Sequence, residues 1–220
     1  MKDLPYFTEL PDGLCQLPSL EFLQIRRAPG IKRIGPEFVL PHHHEHPRAM
    51  ENFGSDLEIQ VIECQGLERI SNLPNFHNLG IIECPELKVL EGLPALQKLG
   101  LEDYDMKTLP GYLKDVNPRD LLLDCDVSLL ASIGKGKSSP EWDKFSHIKQ
   151  VRAYENDDDN NIRRKWYVKY TRDPFSLKKN ISLSADASGD ETEEVLLDEV
   201  EEISREEIQE ECVNVEQLKE

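Results

Sequence analysis

The chain has 220 residues, 38% of them apolar and 31% charged, with a formal net charge of -17. Residues 184–220 hold fifteen of the acids against only Arg205 and Lys219, so the acidity belongs to a tail rather than a folded surface, and it weighs against nucleic acid as the partner. The N-terminus lacks an apolar run suited to a signal sequence, no window approaches the ~18 apolar residues of a membrane span, and five cysteines without paired C-x-x-C spacing fit a reducing compartment; the cytoplasm is the expected location, with the nucleus as the other.

Residues 1–16 read as the end of a structural unit. Leu10, Leu14 and Leu17 fit a return path with no strand before it, so the array is expected to continue upstream or to pair its first edge with another protein. Leu23 and Ile25 mark a first strand. The Pro- and His-rich stretch from Gly35 to Ser55 has neither a strand nor a helix period and is expected to contain an insertion, near 36–52. Beyond it the chain repeats itself. Laid over one another, DLEIQVIECQGLERI (56–70) and FHNLGIIECPELKVL (76–90) set Ile59, Val61, Cys64, Leu67 and Ile70 on Leu79, Ile81, Cys84, Leu87 and Leu90, at a constant offset of 20.

This spacing, L-x-I-x-x-C-x-x-L-x-x-I, is a leucine-rich-repeat pattern, in which a short strand is followed by a turn and an irregular return path. Alternation sends Leu79 and Ile81 into a core and Gly80 and Ile82 to the opposite face. Continuing the register through Leu99 and Leu101, then Leu121 and Leu123, gives five units. The fourth, LGLEDYDMKTLP, is one residue short in its return path, and the fifth lacks a clean one. The expected fold is α/β: a leucine-rich-repeat solenoid with a curved parallel sheet and irregular return segments.

LPDGLCQLPSLEFLQIRRAPGIKRIGPEF, followed by a variable insertion and LEIQVIECQGLERI, resembles the C-terminal repeats of plant nucleotide-binding leucine-rich-repeat immune receptors. The match is close over residues 4–101 and looser through SSPEWDKFSHIKQVRAY and RKWYVKYTRDPFSL, which look like the closing segment of some such receptors. The resemblance implies a non-enzymatic module that recognises pathogen molecules inside the cell, in a family whose repeats also restrain a nucleotide-binding switch. The partner it implies is a pathogen effector or the receptor's own switch domain, and the carry-over covers the sensor half alone. A leucine-rich-repeat scaffold, or a ubiquitin-ligase substrate receptor outside immunity, is the alternative.

Further along, Ser139-Pro140-Glu141 reads as the start of a short helix around Trp142 and Phe145, followed by strands in His147–Tyr154 and Lys165–Tyr170. Trp166, Val168 and Tyr170 share one face of the second strand, and ENDDDNN loops between the two. The expected organisation is therefore a solenoid over 1–133, a cap over 134–183 and an acidic tail over 184–220. The tail's apolar residues (Leu196, Val200, Ile203, Ile208, Cys212, Val215) form an interrupted stripe, so it is expected to be disordered or, against a partner, helical.

Three motifs invite chemistry and read better as structure. Gly134 to Ser138 ends like a phosphate loop and suggests an NTPase, yet Ala131 stands where the first glycine belongs and Pro140 interrupts the helix that should follow. His42 to His46 has imidazoles for a borderline metal but no residues to preorganise them. Cys64 and Cys84 suit the small buried position of the turn. No cofactor or metal is expected. Arg163 to Tyr170 mixes bases and aromatics, but alternation assigns Trp166 and Tyr170 to the cap. The candidate site is instead a column of acids two residues past the second apolar position of each strand (Val61, Ile81, Leu101): Glu63, Glu83 and Asp103, with Glu102 and Asp124 one row inwards. It is expected to act as a rim for a basic protein partner.

Overall fold

A computed structural model describes residues 8, 21–35, 58–74, 76–155 and 166–181, all in one compact unit. The His-rich stretch, the acidic tail and the first sixteen residues apart from Thr8 lie outside the described residues. Period-two alternation organises the rest. Strands β1 (Phe22–Arg26), β3 (Glu58–Ile62), β5 (Asn78–Ile82), β7 (Lys98–Asp103) and β8 (Asp120–Cys125) bury every second side chain. Three short strands, β2 (Arg33–Ile34), β4 (Arg69–Ser71) and β6 (Val89–Glu91), lie on the return paths between them.

The long strands pair in parallel in chain order, and their register sets the alternating apolar positions side by side. Leu23, Ile59, Leu79, Leu99 and Leu121 are successive Cα partners, as are Ile25, Val61, Ile81, Leu101 and Leu123. The short strands form a second parallel sheet, pairing Ile34 with Ile70 and Ile70 with Leu90. One apolar core takes side chains from both sheets, and each of its fully buried Leu or Ile side chains contributes roughly 1.5 to 3 kcal/mol. The fold is thus α/β, with mostly parallel strands and few helices.

After β8 the chain departs from this pattern. Asp126 caps α1 (Val127–Ile133) by accepting the Ser128 N–H at 2.8 Å, and Leu129, Leu130 and Ile133 bury themselves in the core. Helix α2 is a single turn, Trp142–Phe145, preceded by Ser139, whose hydroxyl accepts the Glu141 N–H at 3.1 Å. The main sheet then continues rather than ending at β8. Strand β9 (Gln150–Glu155) joins β8 in parallel, and β10 (Tyr167–Thr171) and β11 (Ser176–Asn180) follow antiparallel. Trp142, Phe145 and Tyr170 stack edge-on with centroids 5.3 to 5.6 Å apart, a geometry that adds about 0.5 to 1.5 kcal/mol per pair beyond burial.

A buried ion pair ties α2 to the return path of β7. Glu141, only 4% exposed, accepts the Leu109 N–H at 2.8 Å, while Lys144 donates to Glu141 at 2.9 Å and to the Leu109 carbonyl at 2.8 Å. Each polar group in the set has its partner, which is what allows a carboxylate to sit there.

The alternation can be tested within a single strand. Leu99→Ala should cost about 2 to 5 kcal/mol, because it empties a site that is 1% exposed. Gly100→Ser should be near neutral, since a Cβ there would meet nothing closer than 3.9 Å. Thermal or urea melts giving equal losses for the two would overturn the assignment of faces.

Candidate functional site

The C-terminal ends of the parallel strands share one construction. The residue after each of the first three long strands is left-handed: Arg27 (φ 51°), Glu63 (φ 52°) and Glu83 (φ 48°). Such a φ costs a non-glycine residue of order 1 kcal/mol, yet the ladder is kept. The N–H of Arg27 reaches the Ile62 carbonyl at 3.0 Å, that of Glu63 the Ile82 carbonyl and that of Glu83 the Glu102 carbonyl, both at 2.9 Å. A tight turn follows each time, closed by Ile31 N–H to Ala28, Leu67 N–H to Cys64 and Leu87 N–H to Cys84. These corners aim the side chains of the column at the edge of the sheet.

Arg27 heads the column, one strand before the acids that the sequence singles out. Glu63 is clamped by two cations, with Arg27 Nε at 2.6 Å and Arg26 Nη2 at 2.8 Å. Its carboxyl is held below the usual carboxylate range, first by the hydrogen bond from Arg27 and then by that from Arg26. The negative edge therefore begins at Glu83, which is exposed. It continues through Glu102, which accepts the Tyr104 hydroxyl at 2.7 Å, and Asp103, which accepts the Asp105 N–H at 2.9 Å. Asp124 is the Cα partner of Glu102, and Cys125 that of Asp103, so the outer column of acids ends at unit four while the inner row runs on.

The residue one step past the corner forms a second column: Ala28, Cys64, Cys84. Cys64 Sγ lies 3.8 Å from the Ile25 carbonyl and 3.4 Å from that of Ile62, and Cys84 Sγ lies 3.6 Å from Val61 O and 3.3 Å from Ile82 O. Each thiol thus bridges two consecutive strand ends. The hydrogen bond to Cys64 and burial push the Cys84 thiol up, and burial pushes that of Cys125 up to about 12, so both stay protonated.

The fourth unit breaks the column. Its turn starts one residue early, at Asp103, whose carbonyl takes the Met106 N–H at 3.3 Å, and Tyr104 points out to Glu102. With no small side chain stacked on Cys84, a cleft of about 320 Å³ opens there. Cys84, Pro85, Asp103, Met106, Pro110 and Tyr112 are among the residues that line it. Tyr112 is 5% exposed, and its hydroxyl has no hydrogen-bond partner among the described residues. Burial, with the Asp103 carboxylate adding to it, pushes this phenol up. Sequence reasoning missed Arg26, Arg27 and Tyr112. Arg27 could have been found by carrying the alignment across the 36-residue interval to unit one.

The remaining candidates are elsewhere. The segment Gly136–Ser138 is a 3-10 turn preceded by α1, the reverse of the loop-then-helix order a phosphate loop needs. A Cβ on Gly136 (φ 57°) would lie 2.8 Å from Leu177, and one on Gly134 would lie 2.8 Å from Ile181, so the hairpin of β10 and β11 fills the space beside the loop. Lys137 sits over the Phe175 ring at 5.1 Å. Of Arg163 to Tyr170, residues from Trp166 on are described, and there Val168 and Tyr170 are buried. Among the described residues no cluster of three metal-ligating side chains occurs, and no helix is long and apolar enough to cross a membrane.

The Glu63 clamp has a definite pH signature. Its folded pKa lies below the unfolded value of 4.5, so its stabilisation is present above that value and is lost as pH falls through the lowered one. Arg27→Gln should raise the Glu63 midpoint in a carboxylate NMR titration and remove at most about 1 kcal/mol of stability, because the pair is half-exposed. An unchanged midpoint would show that the clamp does not form. Set against family models, curated proteins and solved structures, the chain matches none.

Proposed function

We propose that the protein is a non-enzymatic protein-recognition module, a leucine-rich-repeat solenoid that engages a basic protein partner along the C-terminal edge of its parallel strands. The observation that carries this reading is the edge itself. Glu83, Glu102, Asp103 and Asp124 occupy two adjacent columns in fixed register, and among the described residues no Lys or Arg clamps Glu83, Glu102 or Asp103 as Arg26 and Arg27 clamp Glu63. Beside the edge, Gln60, Gly80, Gly100 and Leu122 form a half-buried stretch of sheet in which two consecutive strands have no side chain to obstruct a partner.

The resemblance of residues 4–101 to plant immune receptors supplies the biological setting. In that setting the module is the sensor half of an intracellular receptor, in the cytoplasm or nucleus, and its partner is a pathogen effector or the receptor's nucleotide-binding switch. An NTPase built on Gly134 to Ser138 has less support, because Leu177 and Ile181 occupy the space beside its glycines.

The test is association of the immobilised protein with the nucleotide-binding half of a receptor of the resembled family, at 0.05 M and 1 M salt. Glu83→Gln, Glu102→Gln and Asp103→Asn together should slow association about tenfold at low salt, and the difference should close at 1 M, where the Debye length is ~3 Å. Glu63→Gln alone should not slow it in the same way, since that carboxylate is already paired. A triple variant that associates as fast as the parent at low salt would contradict the acidic edge, and no association of the parent at all would contradict the choice of partner.

A further inference from the structure

We propose that the cleft beside Cys84 is a pocket for a single arginine side chain projecting from that basic partner; the inference rests on the recognition reading above and adds a specific anchor to it. The pocket exists because two regularities fail together. The fourth unit turns one residue early, and Tyr104, in the position held by Cys64 and Cys84 in the preceding units, points out to Glu102 instead of stacking on Cys84. The space left is lined by apolar side chains, Pro85, Met106 and Pro110 among them, and by the polar residues Glu102, Asp103 and Tyr112.

Those polar groups suit a guanidinium. Asp103 uses its Oδ1 on the Asp105 N–H, which leaves Oδ2 as an acceptor, and Glu102 uses Oε1 on Tyr104, which leaves Oε2. The Tyr112 hydroxyl, on a residue 5% exposed, opens into the cleft without a partner. An N–H donor entering the cleft would give that phenol oxygen a hydrogen bond in place of water. Arginine brings five donors in a rigid plane and an aliphatic stem for the Pro and Met walls, whereas lysine's ammonium carries a tighter shell of water. Lys88 also borders the cleft, but Glu86 holds its ammonium at 3.0 Å, and the side chain is 71% exposed. The cleft lies next to Glu83 and Asp103, where the acidic edge would deliver a basic segment.

Met106 lines the cleft and is one of three methionines in the chain, so its methyl group reports on occupancy. The experiment is a methyl-13C-methionine NMR titration of the full chain with N-acetyl-arginine methylamide, its lysine counterpart and neutral N-acetyl-citrulline methylamide. The arginine compound should shift the Met106 methyl saturably. Asp103→Asn should weaken this about tenfold, by loss of the charged acceptor, and Tyr112→Phe about threefold, with packing retained. With the protein partner, Tyr112→Phe should raise the dissociation rate and leave the association rate alone, because it changes no charge. A Met106 methyl that does not shift saturably, or that follows citrulline as closely as arginine, overturns the pocket. The salt dependence of association would be untouched by that result, so the pocket and the acidic edge fail separately.

Discussion

In-register parallel pairing is the constraint on which the rest depends. In a strand whose side chains alternate, a slip of one residue would carry Leu79 and Ile81 out of the core and bring Gly80 and Ile82 into it, so burial on one face fixes the register tightly. Once Ile59, Leu79, Leu99 and Leu121 are partners, every other position is carried along. The residues after the strands fall in columns as well, and a property that repeats in sequence becomes a line in space.

Two such lines lie side by side at the strand ends. The cysteine column is structural: each thiol reaches the carbonyls of two consecutive strands, and the hydrogen bond with Cys64 together with burial keeps the Cys84 thiol protonated. The acid column is turned outwards by left-handed corners, which glycine would occupy with less strain. Along it the sign of the charge changes from Arg27 to Glu63, and that pair satisfies itself. What remains negative is the part nearer the fourth and fifth units. The same irregular fourth turn that ends the left-handed corners also opens the cleft, so charge and cavity share one cause.

Much of the sheet was legible because the signal was periodic. The buried positions 61, 81 and 101 follow from alternation and a 20-residue offset, 25 and 123 from alternation alone, and all five lie in the paired strands. Helix α1 was missed although Asp126 and Ser128 carry a capping pattern before Leu129, Leu130 and Ile133, because it occupied the place where a return path was sought. Strand β11 was missed because Ser176–Asn180 has no apolar alternation, and exposed Lys178, Lys179 and Asn180 belong to an edge. The clamp on Glu63 was hidden by the length of the first interval, and the cleft by its nature, since it arises from a side chain that points elsewhere.

Every column depends on the register at the strand ends, and hydrogen bonds observed in solution read that register out. Through-bond NMR couplings across N–H···O=C should link the Glu63 nitrogen to the Ile82 carbonyl carbon and the Glu83 nitrogen to that of Glu102, the pairs that stand 2.9 Å apart. Couplings to Ile81 or Glu83 from Glu63, or to Leu101 or Asp103 from Glu83, would mean a slipped ladder. The acids would then not form one column, and the edge and its pocket would fall with it.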